Sequence, residues 1–184
     1  MYPIKKLLKL IVSPQSGWNT ISEEEGVTAE KLSSSILYPV LGLFAIIVFF
    51  MEIEFTLQRS DSGIEKAIQY AVVAFVQFFL TYYIVSYVAK KIFKQYNTKK
   101  CNIYFVYLVT LTTLFYLIMT LFAEYVGYVA PLSLFVMYQA WIGYKYINPG
   151  AEKIDTKFVL PMSVMILMLP LVISLILRTL LTLI

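Results

Sequence analysis

Five long apolar stretches, separated by short connections that hold most of the charge, set the pattern of the chain. They run over residues 32–51, 67–89, 101–123, 125–144 and 158–177, and an apolar tail from Thr179 to Ile184 follows the last. No Asp, Glu, Lys or Arg interrupts any of the five windows. A helix that crosses a hydrocarbon core of about 30 Å, rising about 1.5 Å per residue, needs about 20 such residues. A charge at its centre would cost about 2.5–3.5 kcal/mol on insertion scales. Because the runs are apolar on every side, each helix is expected to be surrounded by lipid or by its sister helices. The pattern therefore predicts an all-α, polytopic membrane bundle of about five transmembrane helices over residues 32–184.

Residues 1–31 differ in kind. Ile4, Leu7, Leu8, Ile11 and Val12 recur at helical spacing, with Lys5, Lys6 and Lys9 on or beside the opposite face. This describes a short basic amphipathic helix lying on an anionic membrane surface. Ser13-Pro14 ends or redirects it, since proline has no N–H to continue the hydrogen-bond ladder. A second short helix is expected from about Gln15 to Glu25, with Trp18 and Ile21 toward lipid and Glu23 to Glu25 toward water. Trp18 suits an interfacial anchor. The apolar stretch Leu7–Val12, interrupted by Lys9, is too short for the core of a secretory signal.

Lysine and arginine give the orientation. With the N-terminus cytoplasmic, twelve cations fall on inside segments and only Arg59, Lys66 and Arg178 outside, where Glu52, Glu54, Asp61, Glu65 and Glu124 also lie. Five spans and an outside C-terminus are mutually consistent with that bias. The formal charge of +4 is thus a topology signal and no argument for a nucleic-acid partner. The loop carrying Lys90, Lys91, Lys94, Lys99 and Lys100 is the strongest cytoplasmic feature. A polybasic juxtamembrane segment attracts anionic lipid at about 1 kcal/mol per charge.

Composition narrows the chemistry. Sixty per cent of the residues are hydrophobic and 14% charged, against roughly 45–50% and about 25% in a soluble domain. There is no histidine and one cysteine, Cys101. The commonest general base and metal ligand is missing, which removes histidine-dependent triads and histidine-ligated zinc. No catalytic residue, cofactor or metal site is expected, and the chain reads as a non-enzyme.

The intramembrane polar candidates are Gln77, Gln139, Glu52, Glu124 and Arg178. The two glutamines should face the bundle interior and bond across helices, or else contact a substrate. Glu52, Glu54 and Glu124 are solvated helix ends or a cation or proton site. Glu52 and Glu54, two apart, point about 200° from each other on a helix. Arg178 either snorkels to the headgroups or pairs with Glu52 or Glu124. Ala67, Ala71 and Ala74 form a small-residue face for close packing. Pro161 and Pro170 should kink the fifth span. Tyr82, Tyr83, Tyr87, Tyr104 and Tyr107 read as an interfacial aromatic belt.

The basic N-terminal helix, the segment from Val12 to Ile21 with its Ser13-Pro14, Trp18 and Ile21, Tyr38-Pro39, and Trp141-Ile142-Gly143-Tyr144-Lys145 resemble the Yip (Ypt-interacting protein) domain family in its bacterial branch, from about Ile4 to Leu177. The resemblance implies a five-helix bundle with a cytoplasmic N-terminus. Eukaryotic relatives take part in vesicle traffic and contact small GTPases, but this chain lacks their Asp-Leu-Tyr-Gly-Pro-type segment. The expectation is a multi-pass protein of the bacterial inner membrane, a scaffold or lipid-organising module of the Yip type. Its partners would be anionic lipids of the cytoplasmic face and other membrane proteins or a second copy. A small transporter or channel with a polar site from Gln77, Gln139 and Glu124 is the alternative.

Overall fold

The computed structural model describes residues 3–23, 26–57, 63–122, 131 and 134–183. All regular structure among them is helical: α1 (Pro3–Val12), α2 (Pro14–Ser22), α3 (Ala29–Leu32), a π-helical turn (Ser33–Leu37), α4 (Tyr38–Leu57), α5 (Gly63–Ile92), α6 (Thr98–Leu121), α7 (Leu134–Ile147) and α8 (Thr156–Leu181). Among the described residues four stretches are long and apolar enough to cross a membrane: Ala29–Glu54, Gly63–Ile92, Thr98–Leu121 and Thr156–Leu181. They match four of the five expected spans, the third stretch ending at Leu121, two residues short of its expected bound. The fourth expected span, 125–144, corresponds to α7, whose described 14 residues reach only about 21 Å at about 1.5 Å per residue. Residues 125–130, 132 and 133 lie outside the described residues, as do Glu24, Glu25, Arg59, Asp61 and Glu124.

Local chemistry sets the helix starts. The Asn97 side chain accepts from the Lys99 and Lys100 N–H groups at 2.9 and 3.3 Å, and Asp155 from Lys157 N–H at 3.0 Å, so α6 and α8 both begin on a side-chain cap. Pro14 sits in the first turn of α2, where its missing N–H costs nothing. Pro161 and Pro170 both lie inside α8, which remains one helix. Near the second proline the Tyr116 hydroxyl of α6 donates to the Leu167 carbonyl at 3.2 Å, so a neighbouring helix serves a carbonyl beside the interrupted ladder.

α6 forms the centre: 67% of its apolar window is buried within the protein, against 28% to 39% for the other three candidate spans. Buried hydroxyls on α5, α6 and α8 bond back to their own helix, Thr81 to Gln77, Thr110 to Val106, Thr112 to Leu108, Thr113 to Val109 and Ser163 to Val159. These five satisfy themselves locally. Ala67 and Ala74 are buried, as a close-packing face requires.

The N-terminal hairpin of α1 and α2 belongs to the same core. Leu7, Leu10, Trp18 and Ile21 join the buried cluster that runs through the bundle. The two arms approach so closely at Gly17 that a Cβ there would stand 2.9 Å from the Leu10 backbone. Lys9 closes the hairpin by donating to Thr20 Oγ1 at 2.7 Å. On α1 the apolar positions cover about 200° of the helix, wider than one face needs. Leu7 and Leu10 are buried, while Ile4, Leu8, Ile11 and Val12 are exposed on the adjoining flank. One arc thus serves two surroundings.

Candidate functional site

Two constellations hold the described polar candidates of the sequence, at opposite ends of the bundle. The first locks the hairpin to α7. Gln139 is fully buried and spends both halves of its amide on the hairpin: its Oε1 accepts from Trp18 Nε1–H at 3.1 Å, and its Nε2 donates to the Leu10 carbonyl at 2.5 Å. The Trp18 ring lies against Tyr104, Tyr107 and Tyr146, with centroids at 5.4, 6.0 and 5.8 Å. It fills the notch left by Gly143, where a Cβ would meet Trp18 Cε2 at 2.5 Å. The segments 13–21 and 141–145, far apart in sequence, therefore meet ring against glycine.

This reverses several expected orientations. Trp18 is 3% exposed and Ile21 is buried, so both face the bundle and not lipid. Tyr104 and Tyr107 are buried around Trp18, whereas Tyr83 and Tyr87 remain exposed as belt residues would. Of the three basic residues on α1, Lys5 is exposed, Lys9 is tied to Thr20, and Lys6 is turned inward, where burial pushes its pKa down. The physical reason is shared: an indole or a lysine stem has an apolar body and a polar tip, and periodicity alone does not say whether protein or lipid covers the body.

Beside the lock, the same end is knit by the Tyr96 hydroxyl, which donates to Asp155 Oδ2 at 2.6 Å and meets the Tyr144 hydroxyl at 3.1 Å. Burial first, then the bonds to Asp155 and Tyr144, raises the Tyr96 pKa well above its ordinary value. In the basic loop Lys90, Lys91, Lys94 and Lys99 are exposed. Lys91 lies over the Tyr87 ring and Lys100 over the Tyr146 ring, at 5.6 and 5.8 Å. Cys101 is buried.

The second constellation is a cleft of about 370 Å³ between α4, α5, α6 and α8, which brings together Gln77, Glu52 and Arg178 with Tyr116, Thr120 and Ser174. Glu54, on the same helix as Glu52, is exposed and does not line it, as the two-residue spacing requires. The Arg178 guanidinium stands over the Tyr70 ring at 4.8 Å. The hydroxyls of Tyr116 and Thr120 are committed to the Leu167 and Tyr116 carbonyls. Gln139 does not share this cleft, so the two glutamines form no joint site. Among the described residues no group of three or more acidic or cysteine side chains is placed to hold a metal.

No family model, curated protein or solved structure matches the chain.

Proposed function

We propose that the chain is a non-enzymatic membrane scaffold or lipid-organising module of the Yip type, working at the cytoplasmic face of a bacterial inner membrane. In this reading α7 belongs to a fifth span, the N-terminus is inside and the C-terminus outside. The distribution of lysines supports that orientation, since the hairpin, the loop after α5 and the connection before α8 share one end of the bundle and hold most of the cations.

The observation that carries the reading is the two-sided α1. Its buried flank is held by the bundle, while Ile4, Leu8, Ile11 and Val12 are left exposed beside Lys5. A helix so mounted sits at the headgroup boundary with its free apolar flank among acyl chains and its lysine at the aqueous side. A rigidly docked helix of this kind orders the lipid around it and presents a fixed basic surface to partners.

The test is to reconstitute the protein and a Leu8→Glu/Ile11→Glu variant in vesicles containing anionic lipid and follow a lipid-order probe and the co-purifying proteins. Both substitutions are at exposed sites, so the thermal transition should hold while the probe and the partner set change. An unchanged probe signal and an unchanged partner set would count against the proposal.

The cleft supports a second reading, a small transporter or channel, because it joins a cation, a carboxylate and an amide. Solute flux through the reconstituted protein that is abolished in Glu52→Gln and Arg178→Gln variants would favour it. No flux for any tested ion or small solute would leave the scaffold reading alone.

A further inference from the structure

On its outward side the hairpin lock forms the back wall of a second cavity, of about 440 Å³, between α2, the end of α7 and the connection that follows. Its floor is Trp18 and Tyr146, and its rim carries Lys145, Gln15, Asn19 and Trp141. Among the described residues Lys145 is the one charged member of the lining, and no carboxylate lines it. The Gln15 and Asn19 amides add neutral donors, and both side chains are exposed at the rim. A wall of one ammonium and several donors selects an anion. The volume falls within the range of about 300–1,000 Å³ typical of small-molecule sites.

What leads into the cavity identifies the ligand further. Along α7, Leu134, Tyr138 and Trp141 are exposed at 60%, 52% and 43%, and Lys145 is exposed one turn beyond Trp141. Residues at i, i+4, i+7 and i+11 share one helix face. That face is a continuous apolar track that ends at a cation and a polar cavity, with an indole at the junction, where membrane interfaces favour tryptophan. The order apolar track, indole, ammonium matches the order acyl chain, glycerol backbone, phosphate.

We propose that this cavity is a binding site for one anionic phospholipid. Its phosphate is held by Lys145 with the Gln15 and Asn19 amides, and one acyl chain lies along Trp141, Tyr138 and Leu134. The site rests on the reading that the hairpin end lies at the cytoplasmic headgroup level. It is distinct from the lipid flank of α1, whose exposed residues do not line the cavity. A lipid seated here would bridge α2 and α7 from outside, where Gln139 bridges them from within.

Native mass spectrometry of the delipidated full-length protein tests this with three probes: a phosphatidylglycerol, a phosphatidylcholine with the same acyl chains, and water-soluble glycerol phosphate. Wild type should retain phosphatidylglycerol over phosphatidylcholine by about fivefold, the effect of about one interfacial charge. Lys145→Gln should remove that preference, whereas Lys66→Gln, an exposed cation in the first turn of α5, keeps it. Asn19→Leu, at an exposed position, should weaken retention with the thermal transition unchanged. Equal retention by wild type and Lys145→Gln would overturn the site, as would equal retention of the two lipids. Glycerol phosphate binding as tightly as the lipid would overturn the acyl track. A negative result here together with a positive lipid-order result for the α1 flank would remove this site and leave the proposed function standing.

Discussion

The two ends of the bundle solve the problem of polar groups in an apolar protein in opposite ways. At the hairpin end, Gln139, Trp18 and the Leu10 carbonyl satisfy one another, and Tyr96, Tyr144 and Asp155 do the same nearby. At the other end, Gln77, Glu52 and Arg178 line an open cleft in which the neighbouring hydroxyls are spent on backbone carbonyls. A buried polar network holds elements in one arrangement only when every member is satisfied. The hairpin end therefore reads as a structural lock, whereas the cleft end gathers an amide, a carboxylate and a cation around an open space.

The sharpest way to break that contrast is Trp18→Ala. It removes the ring that Tyr104, Tyr107 and Tyr146 pack against and strips Gln139 of a donor. Unfolding in mild detergent should show a loss of about 3–5 kcal/mol, the usual range for a buried aromatic truncated to alanine. Gly143→Ala attacks the same contact from α7. Its new methyl meets the indole, and a cost of about 1–3 kcal/mol is expected from overpacking. Gln139→Leu keeps the volume but leaves the Leu10 carbonyl and the Trp18 N–H without a partner, which should cost about 1–3 kcal/mol. In a denaturant series it should be strongly non-additive with Trp18→Ala.

Tyr96→Phe should cost about 1 kcal/mol, one net hydrogen bond, and it carries a pH signature. The Tyr96 pKa is raised in the folded state. Its contribution is therefore fully present below the ordinary tyrosine pKa near 10 and lost as the pH rises above that value. Thermal transitions measured from pH 8 upward should fall more steeply for wild type than for Tyr96→Phe. By contrast, Arg178→Gln, at an exposed position of the cleft, should move stability by no more than about 0.5 kcal/mol. A larger loss there would mean that the cleft, too, is a structural lock.

How much of this was legible in the sequence follows from the kind of signal each part leaves. Four spans could be read because hydrocarbon demands an uninterrupted apolar run, and charges at both ends mark its limits. The Ser13-Pro14 break was legible because proline acts locally. Gln139 as an interior residue was legible, since an amide in an apolar helix needs a partner. Its partners were not, because they lie in a segment that reads equally well as a membrane anchor. Trp18 offers an apolar ring and one N–H to either lipid or protein. The signal that separates the two is the pair of small residues opposite, Gly17 and Gly143, whose missing side chains make room for Leu10 and for the indole. The excess width of the apolar arc on α1 is a similar clue, since a helix serving lipid alone needs only one flank. The cleft was half legible: Glu52, Arg178 and Gln77 stand out as residues, but their convergence depends on the packing of four helices.

Hydrogen–deuterium exchange of the protein in lipid nanodiscs, wild type against Gln139→Leu, bears most directly on the docked hairpin. The amides of α2 should exchange as slowly as those of α7 in wild type, and α2 should lose protection in the variant while α5 and α6 keep theirs. Rapid exchange of α2 in wild type, or protection of α2 unaffected by Gln139→Leu, would contradict the lock.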